Sequence, residues 1–204
     1  MRPLAHVFSP GTAEGRPPLL MLHGTGDDEH GLLPLAATLS PDAAVLSPRG
    51  MVLEGTHARY FRRLAEGLFD EDDLRARADE LAAFITGASA QYGLAPGSLV
   101  AVGFSNGANM AAALLLTHPE VLAGALLIAS VPPFTSVPGV DLSGRRVLIS
   151  NGENDEMAPL ERTDMLAHQL RERGADVELL THPSGHEIVE THLPAMSAFV
   201  HGHA

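Results

Sequence analysis

Residues 98–107 (SLVAVGFSNG) form the stretch that decides the fold, because an apolar run ends there in the pattern Gly103-Phe104-Ser105-Asn106-Gly107. The run 98–104 is typical of a buried strand, and the small residues of 106–118 are typical of a helix. At such a junction the pattern G-x-S-x-G predicts a strained turn that holds the Ser105 hydroxyl clear of the sheet. A chance match is expected roughly 0.1 times in a chain of this composition. We therefore predict that Ser105 is a nucleophile.

The same alternation of short apolar runs and longer periodic segments continues on both sides of this junction. Further strands are predicted at 18–23, 43–47, 123–129, 146–150 and 176–181, and further helices near 32–39 and over 72–92, 160–173 and 187–200. Strands that alternate with helices predict a mostly parallel central sheet with helices on both faces, which is the α/β class. In such a sheet the functional groups lie at the carboxyl ends of the strands.

Length and composition limit the classes of protein that need to be considered. The 204 residues, 45% of them hydrophobic, predict a single domain over residues 1–204 with its own core. The chain has no cysteine and all 13 of its basic residues are arginine, which excludes cysteine nucleophiles, thiolate zinc sites and lysine Schiff bases. The net charge of −12 argues against nucleic-acid binding. Because neither a signal-peptide pattern nor a membrane-spanning run is found, we expect a cytoplasmic protein with no membrane insertion.

A serine hydroxyl becomes an effective nucleophile only when a base removes its proton, and His186 is the predicted base. It lies in the loop 182–187 (HPSGHE), directly after the predicted strand 176–181. The order serine, acid, histidine along the chain is the order that this turn predicts. His182, four residues earlier and nearer the strand, stays open as the alternative base.

The acid that orients the base is expected after the preceding strand, between Ser105 and His186. Residues 151–157 (NGENDEM) follow that strand directly, and Asp155 lies in this loop. A carboxylate there would fix the tautomer of His186 and stabilise its protonated form. Glu153 and Glu156 remain alternative acids. The other interpretation is that these carboxylates belong to a solvated turn that only precedes the next helix.

Two backbone donors are needed for the oxyanion that forms when a serine attacks a carbonyl. The N–H of Asn106, the residue after the nucleophile, is the first predicted donor. The second is expected in the loop after an earlier strand, and residues 23–27 (HGTGD) form such a loop. We assign the N–H of Thr25, with Gly26 as the alternative.

Five segments together resemble the phospholipase/carboxylesterase branch of the α/β-hydrolases, which contains acyl-protein thioesterases and small bacterial esterases. They are residues 22–27 (LHGTGD), 47–50 (SPRG), 103–107 (GFSNG), 152–155 (GEND) and 184–187 (SGHE). The chain is particularly similar to small bacterial hydrolases linked to hydroquinone resistance, which have a counterpart of residues 60–63 (YFRR). The resemblance implies an α/β-hydrolase fold, hydrolysis of ester bonds and, as in many compact esterases, a homodimer.

The sequence also differs from the motifs of two related groups of hydrolases. Thioesterase members usually carry a glutamine and a second glycine after the serine, whereas Asn106, Gly107 and Ala108 stand here. Dienelactone hydrolases use a cysteine nucleophile, which this chain lacks. Residues 130–144 are too few for an inserted lid domain, so we expect a minimal form of the fold without one.

The segment 51–73 shows neither strand nor helix periodicity and is predicted to be an irregular cover over the active site. Phe61 and Phe69 from this segment, with Val131 and Phe134, are the predicted substrate pocket; packing of both cover phenylalanines under a long loop is the alternative. Arg49, Arg62 and Arg63 are candidates for an acidic group of the substrate. Ion pairing with Glu66 or Asp70 is the competing interpretation of these arginines.

Metal binding is the alternative function considered for the histidines. The set His23, Asp27 and His30 and the pair His182 and His186 have residue types that bind zinc. The helical H-E-x-x-H pattern of metalloproteases is absent, because Pro183 and Gly185 interrupt the second pair. We therefore expect no metal and no cofactor.

The predicted function is that of a serine carboxylesterase that acts on small-molecule esters through an acyl-Ser105 intermediate. A thioesterase or a lysophospholipase-like hydrolase of the same fold is one alternative. A ligand-binding protein with this fold and little turnover is another, because fold alone does not fix function.

Overall fold

The computed structural model describes residues 4–65, 67–136 and 139–203, and eleven strands lie in these ranges. The strands are β1 (His6–Ser9), β2 (Leu19–Leu22), β3 (Val45–Pro48), β4 (Val52–Glu54), β5 (His57–Arg59), β6 (Arg63–Ala65), β7 (Leu68–Phe69), β8 (Leu99–Phe104), β9 (Leu122–Ile128), β10 (Arg146–Gly152) and β11 (Asp176–His182). Seven of them form the central sheet in the order β1-β3-β2-β8-β9-β10-β11. The other four pair as two small hairpins, β4 with β5 and β6 with β7.

All pairs of the central sheet are parallel except β1 with β3, which is antiparallel. The predicted α/β class and mostly parallel sheet are confirmed. Strand β1 was not predicted, because its four residues are only half-buried at the edge of the sheet and lack a continuous apolar run. The carboxyl ends of β2, β3 and β8 to β11 therefore meet at one edge of the sheet.

Five helices cover the two faces of the sheet. They are α1 (Leu33–Leu39), α2 (Glu71–Tyr92), α3 (Asn106–Thr117), α4 (Leu160–Arg171) and α5 (Leu193–His201). Alternate residues of β2 point to opposite faces: Leu20 and Leu22 pack with α2, α3 and α4, whereas Leu19 and Met21 pack with α1 and α5. Among the described helices, none is both long enough and apolar enough to cross a membrane.

The last helix is shorter than predicted. Residues 187–200 were expected to be helical, but α5 begins at Leu193 after a single 3₁₀ turn, Glu190–His192. Pro194 explains the late start, because proline has no backbone N–H and is accommodated only in the first turn of a helix. Gly93 ends α2 as expected, with a φ of 70°.

The segment 51–73 is more regular than its sequence indicated. Its two hairpins, β4–β5 and β6–β7, are short and largely exposed, so no alternating apolar pattern marks them. The last three residues of the segment already belong to α2, and the side chain of Asp70, just before the helix, accepts a hydrogen bond from the N–H of Asp73. This N-cap fixes where the segment joins the body of the molecule.

The junction of β8 and α3 is packed so closely that only glycine fits on either side of Ser105. A Cβ atom on Gly103 would lie 2.6 Å from the backbone nitrogen of Ala108. A Cβ atom on Gly107 would lie 2.0 Å from the carbonyl oxygen of Leu22 in the neighbouring strand. The two glycines therefore set how closely α3 approaches the carboxyl ends of β8 and β2.

Replacing Gly107 by alanine should lower the free energy of unfolding by about 3 kcal/mol, because backbone atoms of β2 would have to move. Urea unfolding of the purified variant measures this loss. Gly87→Ala is the matched control: no atom lies within 4 Å of the added Cβ in α2, so that variant should be slightly more stable than the parent. Equal stability of the two variants would contradict the packing argument.

Candidate active site

Ser105 occupies the turn between β8 and α3 with a backbone φ of 52° and ψ of −115°. A positive φ is unfavourable for any residue with a Cβ atom. The turn is held by its neighbours, since the N–H of Ser105 donates to the carbonyl of Ile128 at 2.8 Å. This is the strained strand-to-helix turn that the G-x-S-x-G pattern predicts.

Two hydrogen bonds join the three residues that the sequence analysis singled out as catalytic. Ser105 Oγ lies 2.8 Å from His186 Nε2, and His186 Nδ1 lies 2.7 Å from Asp155 Oδ2. The carboxylate accepts a hydrogen bond from the Nδ1–H group, which leaves the lone pair of Nε2 directed at the serine hydroxyl. The Asp155 side chain is fully buried and that of His186 is 18% exposed, so the imidazole is accessible from the cleft while the carboxylate is shielded from solvent.

Asp155 is held rigidly in the loop after β10. Its second oxygen, Oδ1, accepts hydrogen bonds from the N–H groups of Met157 at 2.9 Å and Ala158 at 2.8 Å. The alternative acids lie elsewhere: Glu153 is exposed and accepts from the hydroxyl of Thr181, and Glu156 is exposed as well. Of the three candidates, Asp155 is the one that contacts His186.

The loop after β11 brings His186 to this position because two loops approach each other closely. Strands β10 and β11 are paired up to Gly152 and His182. A Cβ atom on Gly152 would lie 2.2 Å from the carbonyl oxygen of Gly185, so glycine at 152 permits the contact between the two loops. His182, the alternative base, is 4% exposed and its ring packs 5.3 Å from the ring of His192, away from Ser105.

The backbone donors predicted for an oxyanion lie beside Ser105. The N–H of Asn106 belongs to the first turn of α3, where backbone N–H groups have no partner within the helix. The N–H of Gly26 donates to the carbonyl of Ala58 at 2.9 Å, so this alternative donor is already engaged. Thr25 lines the same cleft as Ser105, and its N–H makes no hydrogen bond to another described residue. The geometry therefore favours Thr25 over Gly26.

Tyr60 ties the segment 51–73 to the strand ends. Its hydroxyl donates to the carbonyl of Pro48 at 2.7 Å and accepts from the N–H of His23 at 3.2 Å. Its own N–H donates to Asn106 Oδ1 at 2.8 Å. Burial raises the pKa of the Tyr60 phenol well above its usual range, so the hydroxyl stays protonated and can donate.

Tyr60→Phe should lower the free energy of unfolding by about 1–3 kcal/mol, because the buried N–H of His23 and carbonyl of Pro48 lose their common partner. Thermal or urea unfolding measures the change. The only other tyrosine provides the control: Tyr92→Phe removes one half-buried hydrogen bond to His6 and should cost less. A loss at Tyr60 no larger than that at Tyr92 would show that its hydroxyl does not hold these loops together.

His23 is a packed loop residue. Its Nδ1–H donates to the carbonyl of Gly24 at 2.7 Å, and its Nε2 accepts from the N–H of Gly50 at 3.0 Å. Burial lowers the pKa of this imidazole, which keeps it neutral. Both ring nitrogens are therefore engaged, and His23 cannot serve as a metal ligand in this arrangement.

The structure does not bring the members of either candidate metal-binding set together as ligands. In the described ranges, the group whose ligand atoms lie within 4.8 Å of one another is Asp28, Glu29 and His30, on the loop after β2. Glu29 forms a two-point ion pair with Arg49, and the guanidinium lowers the pKa of that carboxyl. This arrangement is that of a surface ion-pair cluster.

The cleft in front of Ser105 is narrow, with a volume of about 30 Å³. The described residues that line it are Thr25, Arg59, Arg63, Gly67, Phe69, Ser105, Asn106, Asn109, Ala129, Val131, Met157, Ala158 and His186. Phe69 and Val131 are among these residues, and their assignment to a substrate pocket stays a prediction. Asn109 was missed although it is one helical turn after Ser105, a spacing that puts two residues on the same face of a helix.

Phe61 and Phe134 do not line this cleft, and their assignment to the substrate pocket is corrected. Phe61 lies in the bend between β5 and β6 and is completely buried in the core, with its ring 5.0 Å from that of Phe69, because burial of a large apolar ring is favourable. Phe134 is 1% exposed and contributes to a neighbouring groove of about 260 Å³, where the Arg75 guanidinium lies 4.1 Å from its ring centroid.

The arginines proposed for an acidic substrate group differ in their surroundings. Arg49 pairs with Glu29, and Arg62 is an exposed side chain that pairs with Asp70 at 2.9 Å. Glu66 lies outside the described residues. Arg63 lines the cleft, and so does Arg59, which the sequence analysis did not identify.

Comparison with known proteins gives consistent matches over nearly the whole chain. The family model described as Phospholipase/Carboxylesterase matches residues 4–204. The putative hydrolase MhqD of Bacillus subtilis (strain 168) is 40% identical over 187 residues, which are 92% of each chain. A carboxylesterase of Bacillus cereus superimposes with a TM-score of 0.95 at 38% identity and covers 98% of this chain and 95% of its own. YahD, solved with malic acid, superimposes with a TM-score of 0.92 at 26% identity over 98% of this chain and 100% of its own.

Proposed function

Because the chain belongs to the phospholipase/carboxylesterase family of esterase-type hydrolases, as its motifs predicted, we propose that it is a serine carboxylesterase for small carboxylic esters. The observation that carries this proposal is the pair of hydrogen bonds from Ser105 through His186 to Asp155. Each of the three residues follows the carboxyl end of a central strand, which is where functional groups of such a sheet lie.

In the first half of the reaction, Ser105 Oγ attacks the carbonyl carbon of the ester while His186 Nε2 takes the hydroxyl proton. Asp155 stabilises the imidazolium that forms, and the carbonyl oxygen becomes an oxyanion. The N–H groups of Thr25 and Asn106 donate to that oxygen. When the intermediate collapses, the bond to the alcohol oxygen breaks, and His186 returns its proton to this leaving group.

In the second half, water hydrolyses the acyl-Ser105 ester. His186 removes a proton from the water as it attacks the acyl carbon, and the same two N–H groups hold the second oxyanion. Collapse releases the carboxylic acid, and the proton on His186 returns to Ser105 Oγ. The nucleophile, base and electrostatic stabilisation are all supplied by protein groups, so this reaction requires no cofactor.

The narrowness of the cleft supports small substrates. Its volume of about 30 Å³ is far below the roughly 300–1,000 Å³ of pockets that hold drug-sized ligands, so the acyl group next to Ser105 is expected to be short. The segment that covers it is tied to the strand ends by Tyr60, which disfavours large opening. YahD, a similar protein, was solved with the small molecule malic acid, which agrees with a site for compact ligands.

A panel of short-chain esters, thioesters and lactones tests the proposal. We expect turnover of 4-nitrophenyl acetate and butyrate, with falling kcat/KM as the acyl chain lengthens. The Ser105→Ala variant, assayed at the same concentration, gives the background. Turnover of thioesters in preference to matched esters would favour the thioesterase alternative. Rates no higher than this background for every compound would favour a ligand-binding protein and overturn the proposal.

A further inference from the structure

The side-chain amide of Asn109 is fixed at its oxygen and has an unused donor. Oδ1 accepts hydrogen bonds from the backbone N–H of Val131 at 2.9 Å and from the Ser130 hydroxyl at 3.0 Å. Because a backbone N–H can only donate, the amide atom that faces Val131 is the oxygen, and the orientation of the amide follows. Within the described ranges Nδ2 makes no hydrogen bond, so its two protons are available to a ligand.

This donor belongs to the cleft that contains Ser105. Asn109 lines the cleft, and its N–H donates to the carbonyl of Ser105 at 2.9 Å, which places it one helical turn, about 5.4 Å of rise, after the nucleophile. The amide of Asn106 differs, because its Nδ2 is sealed from solvent behind the contact of its Oδ1 with Tyr60. Of these two amides, that of Asn109 can therefore donate to a bound molecule.

The loop that holds Asn109 contains a second strained residue. Among the described residues other than glycine, a positive φ is found at Ser105 and at Ala129, where it is 56°. Ala129 lines the cleft after β9, and the two residues that donate to Asn109 Oδ1 follow it directly. Ser130 is fully buried, and its carbonyl accepts from the Thr163 hydroxyl at 2.9 Å. Backbone strain of this kind clusters at active sites and at ligand clamps, which supports a role of this loop in binding.

We propose that Nδ2 of Asn109 donates a hydrogen bond to a second oxygen of the substrate, a few bonds from the carbonyl that Ser105 attacks. The class of substrate is then esters with an ether, hydroxyl or carbonyl oxygen close to the ester group. A methylene in the same place would leave the amide donor without a partner. The proposal rests on the proposed serine esterase function and adds its substrate class. Asn109 becomes a specificity-determining residue, because it contacts a part of the substrate that does not react.

Two pairs of esters with matched shapes test this recognition. 4-Nitrophenyl methoxyacetate and 4-nitrophenyl butyrate differ by an oxygen in place of a methylene in the acyl chain. 2-Methoxyethyl acetate and butyl acetate differ in the same way in the alcohol. For each ester, kcat/KM is divided by the rate constant for hydroxide hydrolysis, which removes differences in intrinsic reactivity. The measured quantity is the ratio of the oxygen member to the methylene member, compared between the parent and its variants so that the difference in hydrophobicity cancels.

Asn109→Asp is the decisive variant, because its carboxylate keeps an oxygen for the donors of Ser130 and Val131 but has no NH2 group. The ratio should fall at least about threefold for at least one pair, the size of one neutral hydrogen bond. Asn109→Leu removes the donor without adding a charge and should give a similar fall. A role in holding the loop alone would leave the ratio unchanged in Asn109→Asp. Thermal unfolding checks that each variant is folded.

Asn154→Asp is the matched control. It makes the same substitution and the same change in net charge at an exposed residue that does not line the cleft. Its amide donates to the carbonyl of Pro183 at 2.6 Å, in the loop that carries His186, so the rates for both members of a pair can change together. Their ratio should stay within about 1.5-fold of the parent, as for a change outside the substrate contacts.

The outcomes separate this proposal from the proposed function. Turnover that depends on Ser105, with a ratio that is unchanged in both Asn109 variants, would overturn the substrate class alone. An equal fall of the ratio in Asn154→Asp, or a fall in Asn109→Asp that is absent from folded Asn109→Leu, would also overturn it, because the effect would then come from the added charge. Absence of turnover of all four esters by the parent would overturn both proposals.

Discussion

Ser105→Ala should lower kcat/KM for 4-nitrophenyl acetate by at least about four orders of magnitude, because the group that forms the acyl intermediate is removed. The remaining activity would come from the oxyanion donors and from binding alone. The change is small in volume and relieves no contact of the core, so the variant should fold as well as the parent. Steady-state kinetics on matched preparations measures the loss.

An independent readout uses a fluorophosphonate, which phosphonylates an activated serine oxygen and releases fluoride. The parent protein should gain the mass of one phosphonyl group at Ser105, and Ser105→Ala should gain none. Ser98→Ala is the control, because Ser98 precedes the opposite end of β8 and its hydroxyl donates only to the carbonyl of Ala95. Labelling and turnover that both survive in Ser105→Ala would refute the nucleophile.

His186→Ala should lower kcat by a similar factor of at least about 10⁴, because the Ser105 hydroxyl loses its base at 2.8 Å and the leaving group loses its acid. Substrate binding depends less on the imidazole, so KM should change little. Asp155 then keeps its two backbone hydrogen bonds to Met157 and Ala158, which favours retention of the loop. Circular dichroism and thermal unfolding check that the variant is folded.

The control for this variant is His182→Phe. In the described residues neither ring nitrogen of His182 has a hydrogen-bond partner, so phenylalanine can keep the ring packing against His192. We expect kcat for this variant to stay within about threefold of the parent, as for a substitution outside the reacting groups. If His186→Ala keeps its activity and His182→Phe loses it, the base is His182.

The strands of the sheet were largely predictable because buried parallel strands are continuous apolar runs. Residues 98–104, for example, correspond to β8 within one residue at its start. The features that escaped prediction depend on position in the fold. Strand β1 pairs antiparallel at the edge of the sheet and is only half-buried. The start of α5 depends on Pro194, which lies inside the expected helical segment.

The three residues of the candidate catalytic group could be predicted because each follows a strand and all central parallel strands end at one edge. Their roles remain predictions that the variants above test. The walls of the cleft were harder to predict, since side-chain directions in short hairpins and in the bend between them depend on the packing of the whole fold. Arg59 at the end of β5 lines the cleft, whereas Phe61 in the bend that follows enters the core.

The backbone of Ser105 has a consequence for how this fold can evolve. A residue other than glycine at a positive φ costs about 1–3 kcal/mol of stability, and glycine would remove most of that cost. Selection for thermal stability alone would therefore favour glycine at position 105, whereas selection for reactivity favours serine. The turn is a point at which these two pressures oppose each other, so under the proposed function a descendant stabilised in this way would lack its nucleophile.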